Sequence, residues 1–227
     1  MAKHSKRFRA LLEKVPTSKA AMPLEEGLKL LKEFGTTKFV QTVEISANLG
    51  IDPRQSDQNV RGSVALPHGI GKTVRVAVFA QGENAEKARA AGADLVGSDD
   101  LASQIKSGVM DFDVALATPD MMGIVGPLGR VLGPRGLMPS PRSGTVTTDI
   151  ASAVREFKAG KIEFRNDKTG NIAVPVGKLS FDNEQLADNI RAFMNHLRTL
   201  KPATAKGAFI RGVTISATMS PGLRVDV

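Results

Sequence analysis

Apolar residues along this chain recur first every three to four positions, then every second one, then in short solid runs, and finally alternate again. Phe8, Leu11, Leu12 and Val15 have helical spacing, with Lys6, Arg7, Arg9 and Lys14 on other faces, which predicts a helix over 4–15 ended by Pro16. A second helix is expected to start at Pro23, carry Glu25 and Glu26 in its first turn, bury Leu24, Leu28 and Leu31, and stop at Gly35. Alternation then predicts a strand over 39–49. Phe39, Val43, Ile45, Ala47 and Leu49 share one face, Thr42, Glu44, Ser46 and Asn48 the other, and Gln41 interrupts the apolar series. A further strand is expected at 60–66, followed by the break Pro67-His68-Gly69-Ile70-Gly71.

Solid apolar runs at 74–80 and 114–118 and a brief strand at 94–96 are separated by helical patterns at 84–91 and 99–106. This is β-α-β-α-β with short connections, the mark of a parallel sheet covered by helices. After it come a possible edge strand at 145–147 and a helix over 149–158. Alternation returns from Lys161. Ile162 and Phe164, then Ile172, Val174 and Val176, flank a hairpin expected at 166–171. A helix over 183–197 buries Leu186, Ile190, Phe193 and Leu197, and 209–217 alternates through Phe209, Arg211, Val213, Ile215 and Ala217.

Neither alternating flank has enough elements for its own core, so the two are expected to pack together. The fold class is α/β with α+β in two domains. One is a discontinuous α+β domain from 1–67 plus 160–227; the other is an inserted Rossmann-like α/β domain, 68–159. The crossings near 67–71 and 159–161 would form a double hinge.

Charge sharpens this division. Residues 1–67 hold 11 basic and 7 acidic side chains and 160–227 hold 10 and 6, whereas 68–159 balance at 10 and 10. The whole net charge of +8 therefore sits in the flanks, where a polyanion would be drawn. The ten Phe, with no Trp or Tyr, supply few stacking platforms, which favours a folded RNA shape over loose single strands. Without cysteine there are no disulfides or thiolate metal sites. No apolar run reaches ~18 residues, and the basic N-terminus lacks the apolar core of a signal peptide.

The stretch PDMMGIVGPLGRVLGPRGLMPSPRSGT, 119–145, alternates glycine and proline and carries Arg130, Arg135 and Arg142 with Asp120 as its only acid. It reads as an ordered cationic loop on a hydrophobic floor. It is either a surface for phosphate or a long connection capping a sheet. It contains neither GxxxxGK[ST] nor GxGxxG after a strand. His4, His68 and His196 lack metal-ligand spacing, and turn or capping roles compete with Mg²⁺ binding at Asp111, Asp113 and Asp120. No metal, cofactor or catalytic residue is expected. The alternative is a nucleotide-dependent enzyme using the inserted domain, with Asp120 and the glycine loop as its site.

Six stretches together resemble the ribosomal protein L1 family: HSKRFRALLEKV (4–15), TKFVQTVEI (37–45), LGIDPRQSDQNVRGSVALPHGIGK (49–72), MDFDVALATPDMMGIVGPLGRVLGPRGLMPSP (110–141), GKIEFRNDKTGNIAVPVGK (160–178) and ISATM (215–219). The resemblance covers essentially the whole chain and is of bacterial type. It implies a cytoplasmic, ribosome-associated protein, monomeric off the ribosome and not bound to membranes. In that family it forms the mobile stalk of the large subunit and assists release of deacylated tRNA from the exit site. Family members also bind their own messenger and repress its translation.

By motif, the resemblance assigns large-subunit rRNA contacts to Lys38, Phe39, Thr42 and Glu44, to Arg165, Asp167 and Lys168, and to Thr218 and Met219. Arg130, Arg135 and Arg142 are a possible second nucleic-acid surface. For each residue the competing reading is a solvated position. One departure stands out: the family usually reads Thr-Met-Gly at the last turn, and Ser220 stands where glycine is expected. If φ were positive there, Ser220 would shift the turn or weaken RNA binding.

Overall fold

The computed structural model describes residues 4–16 and 20–227. The chain divides into two compact units, 1–71 with 164–227 and 72–163. The divisions fall after Gly71 and after Glu163, each slightly later than the expected 67 and 159.

In the unit built from both flanks, α1 (Lys6–Glu13) starts at Ser5, whose hydroxyl accepts the Phe8 N–H. A two-residue strand, β1 (Met22–Pro23), leads into α2 (Leu24–Glu33). Pro23 is the residue before the helix rather than its first, because it also pairs with Asp226. Then come β2 (Thr42–Leu49) and β3 (Arg61–Ala65). The chain returns from the middle unit along β7 (Lys161–Arg165), and continues through β8 (Asn171–Lys178), α8 (Asn183–Thr199), β9 (Ile210–Ala217) and β10 (Leu223–Asp226).

Five strands form one sheet in the order β1-β10-β9-β2-β8, with β2 antiparallel to both neighbours. Val43, Ile45 and Ala47 lie in register with Ala217, Ile215 and Val213, and Leu223 and Val225 continue the rows. All of these are buried, as are Leu28 and Leu31 of α2 and Ile190 and Phe193 of α8. The two helices therefore cover one face of the sheet. Gly27 permits the close approach of α2, since a Cβ there would lie 2.7 Å from the Val225 side chain.

Four expectations are corrected. β2 begins at Thr42, so Phe39 lies outside it and is 52% exposed, because Gln41 is turned inward and the preceding segment peels away from the sheet. The segment 166–171 is not the tip of a hairpin: β7 pairs with β3 and β8 with β2, so the turn links strands of two different sheets. Arg211 is exposed because the register of β9 against β2 shifts at Asn48/Leu49, which takes it out of the buried series. Finally, 145–147 makes only an isolated bridge, Val146 with Ala117.

The middle unit holds β4 (Val76–Phe79), α3 (Glu83–Ala90), β5 (Leu95–Gly97), α4 (Asp99–Lys106) and β6 (Val114–Ala117). Its sheet is parallel, in the order β5-β4-β6. β4 is buried on both faces, as a central parallel strand must be. The segment after β6 is a string of short helical turns rather than a loop, including α5 (Met122–Val125) and α6 (Gly129–Leu132). Met121, Val125, Leu128 and Leu132 from it pack with Phe79, Ile105 and Phe112. α7 (Ile150–Ala159) is capped by Asp149 and ends at Gly160, whose φ of 112° suits glycine.

Asn189 is fully buried in α8 and holds the segment leading out of the first unit. Its Oδ1 accepts the His68 N–H at 3.0 Å, and its Nδ2 donates to the Gly69 and Val176 carbonyls at 2.9 and 2.7 Å. Asn189→Ala removes all three hydrogen bonds, two of them buried, and we expect it to cost about 2 kcal/mol. Urea unfolding of the full chain measures this; an unchanged midpoint would show that water replaces the amide.

Candidate nucleic-acid interface

The sheet face opposite α2 and α8 is polar and open. Glu44 and Asn48 are exposed on it, and Thr42, Ser46, Thr214 and Ser216 are half-buried. Register sets Glu44 beside Ser216, Ser46 beside Thr214, and Thr214 beside Arg224. On the other side Asn48 lies opposite Asn171, and their amides hydrogen-bond at 2.6 Å. The face thus mixes hydroxyls, amides and one carboxylate, a set suited to ribose hydroxyls and base edges.

At one end of this face the two ends of the chain are clasped. The Thr42 N–H donates to Thr218 Oγ1 at 3.0 Å, and the Thr218 N–H donates to the Thr42 carbonyl at 3.1 Å. Lys178 reaches Thr42 Oγ1 at 2.7 Å. Gln41, only 1% exposed, accepts the Met219 N–H at 2.9 Å on its side-chain oxygen and donates to the Phe34 carbonyl. Arg7 of α1 donates to the Met219 carbonyl at 2.7 Å and to Thr36 Oγ1 at 3.1 Å. This corner brings together Thr42, Thr218 and Met219, and Lys38 and Phe39 precede it in the exposed segment before β2. Phe39 and Met219, 52% and 50% exposed, are two of the large apolar side chains left in solvent.

Arg165, Asp167 and Lys168 lie at the far end. Asn48 is six residues along β2 from Thr42, about 20 Å at strand rise, and Asn171 beside it closes the turn that holds Asp167. Asp167 is occupied by that turn. Its carboxylate accepts the N–H groups of Asn171 and Thr169, both at 2.8 Å, and the Thr169 hydroxyl. The Asn171 N–H first and the Thr169 hydroxyl second hold its pKa down at about 2. Arg165 and Lys168 are exposed cations at this end.

Reading the sequence alone passed over Gln41, Lys178, Ser216 and Arg7. Ser216 could have been found from the alternation of 213–217. Nothing local signals that Gln41 and Arg7 converge on Met219, since they lie 178 and 212 positions away in sequence.

In the middle unit Arg130, Arg135 and Arg142 are exposed. Asp111 and Asp113 face cations: Asp111 pairs with Arg75, and Asp113 binds Lys72 at 2.6 Å. The Lys72 hydrogen bond holds the Asp113 carboxyl below its usual range.

The Ribosomal protein L1p/L10e family pattern matches residues 31–221. The chain is 57% identical over 227 residues to large ribosomal subunit protein uL1 of Thermus thermophilus, covering all of this chain and 99% of that protein. It is 55% identical over 226 residues to uL1 of Thioalkalivibrio sulfidiphilus, covering all of this chain and 97% of the relative. The chain belongs to the ribosomal protein L1 family.

For this L1 chain the Asp167 turn gives a pH test. The folded pKa lies below the unfolded 3.8, so the carboxylate supports the turn above that value and the support is lost as pH falls towards 2. We expect the Asp167 carboxyl to titrate near 2 by NMR, with the Thr169 and Asn171 amides losing exchange protection together with it. A midpoint near 4 would show that the turn does not hold the carboxylate.

Proposed function

We propose that the open face of the five-stranded sheet seats a folded segment of large-subunit ribosomal RNA. Lys38, Phe39, Thr42, Glu44, Thr218 and Met219 would grip one end, and Arg165 and Lys168, with the turn organised by Asp167, the other. The coarser role is set by family: the protein is a structural constituent of the large ribosomal subunit in the bacterial cytoplasm, and the family is not enzymatic. The observation that carries the finer reading is the polar face left open while its reverse is buried under two helices.

The chemistry supports an RNA occupant. Lys38, Arg165 and Lys168 offer charge to phosphates, which positions a duplex without reading it. Thr42 and Ser216 can exchange hydrogen bonds with 2′-hydroxyls. Glu44 would repel a phosphate, but as an acceptor it suits a ribose hydroxyl or a base amino group.

We assign the inserted unit, with Arg130, Arg135 and Arg142, to exit-site tRNA, as part of the mobile stalk that assists release of deacylated tRNA. Two chain crossings join that unit to the rest, which favours relative motion. The same RNA seat would bind a mimic of the rRNA site in the protein's own messenger and so repress its translation.

Binding of the full chain to a folded stalk fragment of large-subunit rRNA tests the seat. Thr42→Ala is expected to raise Kd about tenfold. Lys38→Ala is expected to weaken binding and to lower the slope of log K against log salt by about 1. Replacing Arg130, Arg135 and Arg142 by alanine together should leave this Kd unchanged. If only the arginine triple mutant lost affinity, the seat would lie in the inserted unit instead. For regulation, a reporter carrying the native leader should fall with excess wild-type protein and not with the Thr42→Ala variant.

A further inference from the structure

β9 ends at Ala217, and the last pairing of β10 with β9 in this direction is Leu223 with Ile215. The Ala217 N–H therefore has no strand carbonyl facing it. The side chain of Ser220 takes that place: its Oγ accepts the Ala217 N–H at 2.8 Å. In return the Ser220 N–H donates to the Ala217 carbonyl at 2.9 Å, and Oγ lies 3.2 Å from both the Ala217 and Pro221 carbonyls. No non-glycine residue among those described has positive φ, so the expected backbone strain at Ser220 does not arise.

The turn closed in this way carries Thr218 and Met219. Three backbone polar groups beside the Met219 side chain are held: Thr218 N–H by Thr42, Met219 N–H by Gln41, and Met219 C=O by Arg7. Glycine at 220 would leave the Ala217 N–H to solvent and the turn with more conformations to lose on binding. We infer that Ser220 is a positioning residue of the RNA seat, whose hydroxyl replaces the missing strand partner of Ala217 and so fixes Thr218 and Met219 in the conformation that meets RNA. This rests on the seat proposed above.

The test uses the full chain and the folded stalk fragment of large-subunit rRNA, with Ser220→Ala, Ser220→Thr and Thr42→Ala side by side. Ser220→Ala should raise Kd about fivefold, the worth of one neutral hydrogen bond, mainly through faster dissociation. Ser220→Thr, which keeps the hydroxyl, should restore the wild-type Kd. Hydrogen exchange of the Ala217 and Met219 amides in the free protein should quicken in Ser220→Ala and not in Ser220→Thr. If Thr42→Ala weakens binding while Ser220→Ala leaves Kd and exchange unchanged, the role of Ser220 is overturned and the seat stands. Equal loss in the alanine and threonine variants also overturns it, since the hydroxyl would then not be the cause. If Thr42→Ala binds as wild type does, the seat itself fails.

Discussion

β2 hydrogen-bonds to β8 along one edge and to β9 along the other, and that double antiparallel ladder is the constraint on which the rest depends. It joins residues 42–49 to residues 171–178 and 210–217. A segment near the start of the chain thus lies between two strands that arrive only after the whole middle unit has been made. Strand side chains alternate, so once Val43, Ile45 and Ala47 are committed to the helices, Thr42, Glu44 and Ser46 must face away. A slip of one residue would bury the Glu44 carboxylate among the apolar side chains of that face, which is costly. The burial that folds this unit also selects the residues it shows to solvent.

The open face gains definition from its ends. At one end, the reciprocal Thr42–Thr218 hydrogen bonds, buried Gln41 and Arg7 of α1 converge on the turn after β9. At the other, Asp167 spends its carboxylate on its own turn and leaves Arg165 and Lys168 outside it. Few of these contacts are worth more than about 1 kcal/mol singly. Their effect is to remove conformations before any partner arrives, which lowers the cost of association. With no tryptophan or tyrosine to stack on bases, a surface of this kind suits a partner that is itself rigid.

The middle unit follows different physics. Its sheet is parallel and covered on both faces, so its strands are uniformly apolar and present no polar face. The glycine-rich segment after β6 sends Met121, Val125, Leu128 and Leu132 into the core and turns Arg130, Arg135 and Arg142 outwards. Asp111 and Asp113, which could have suggested a cation site, are engaged by Arg75 and Lys72.

Periodicity by itself determined the element types, the α/β character of the middle block, the likeness of the two flanks and the wet parity of Thr42 and Glu44, because these depend only on neighbours two to four residues away. It misplaced Phe39 in the strand, since Gln41 in the buried parity looked like an interruption and is instead a buried anchor. It made a hairpin of 166–171, since a turn flanked by two alternating strands looks the same whether they pair with each other or with strands elsewhere. Only the tertiary structure decided that Arg7, Gln41 and Thr42 meet Met219 and Thr218, and that a serine at 220 can close the turn without positive φ. Those outcomes depend on which distant strands pair and in what register, and no local pattern encodes a contact made across some two hundred residues of chain.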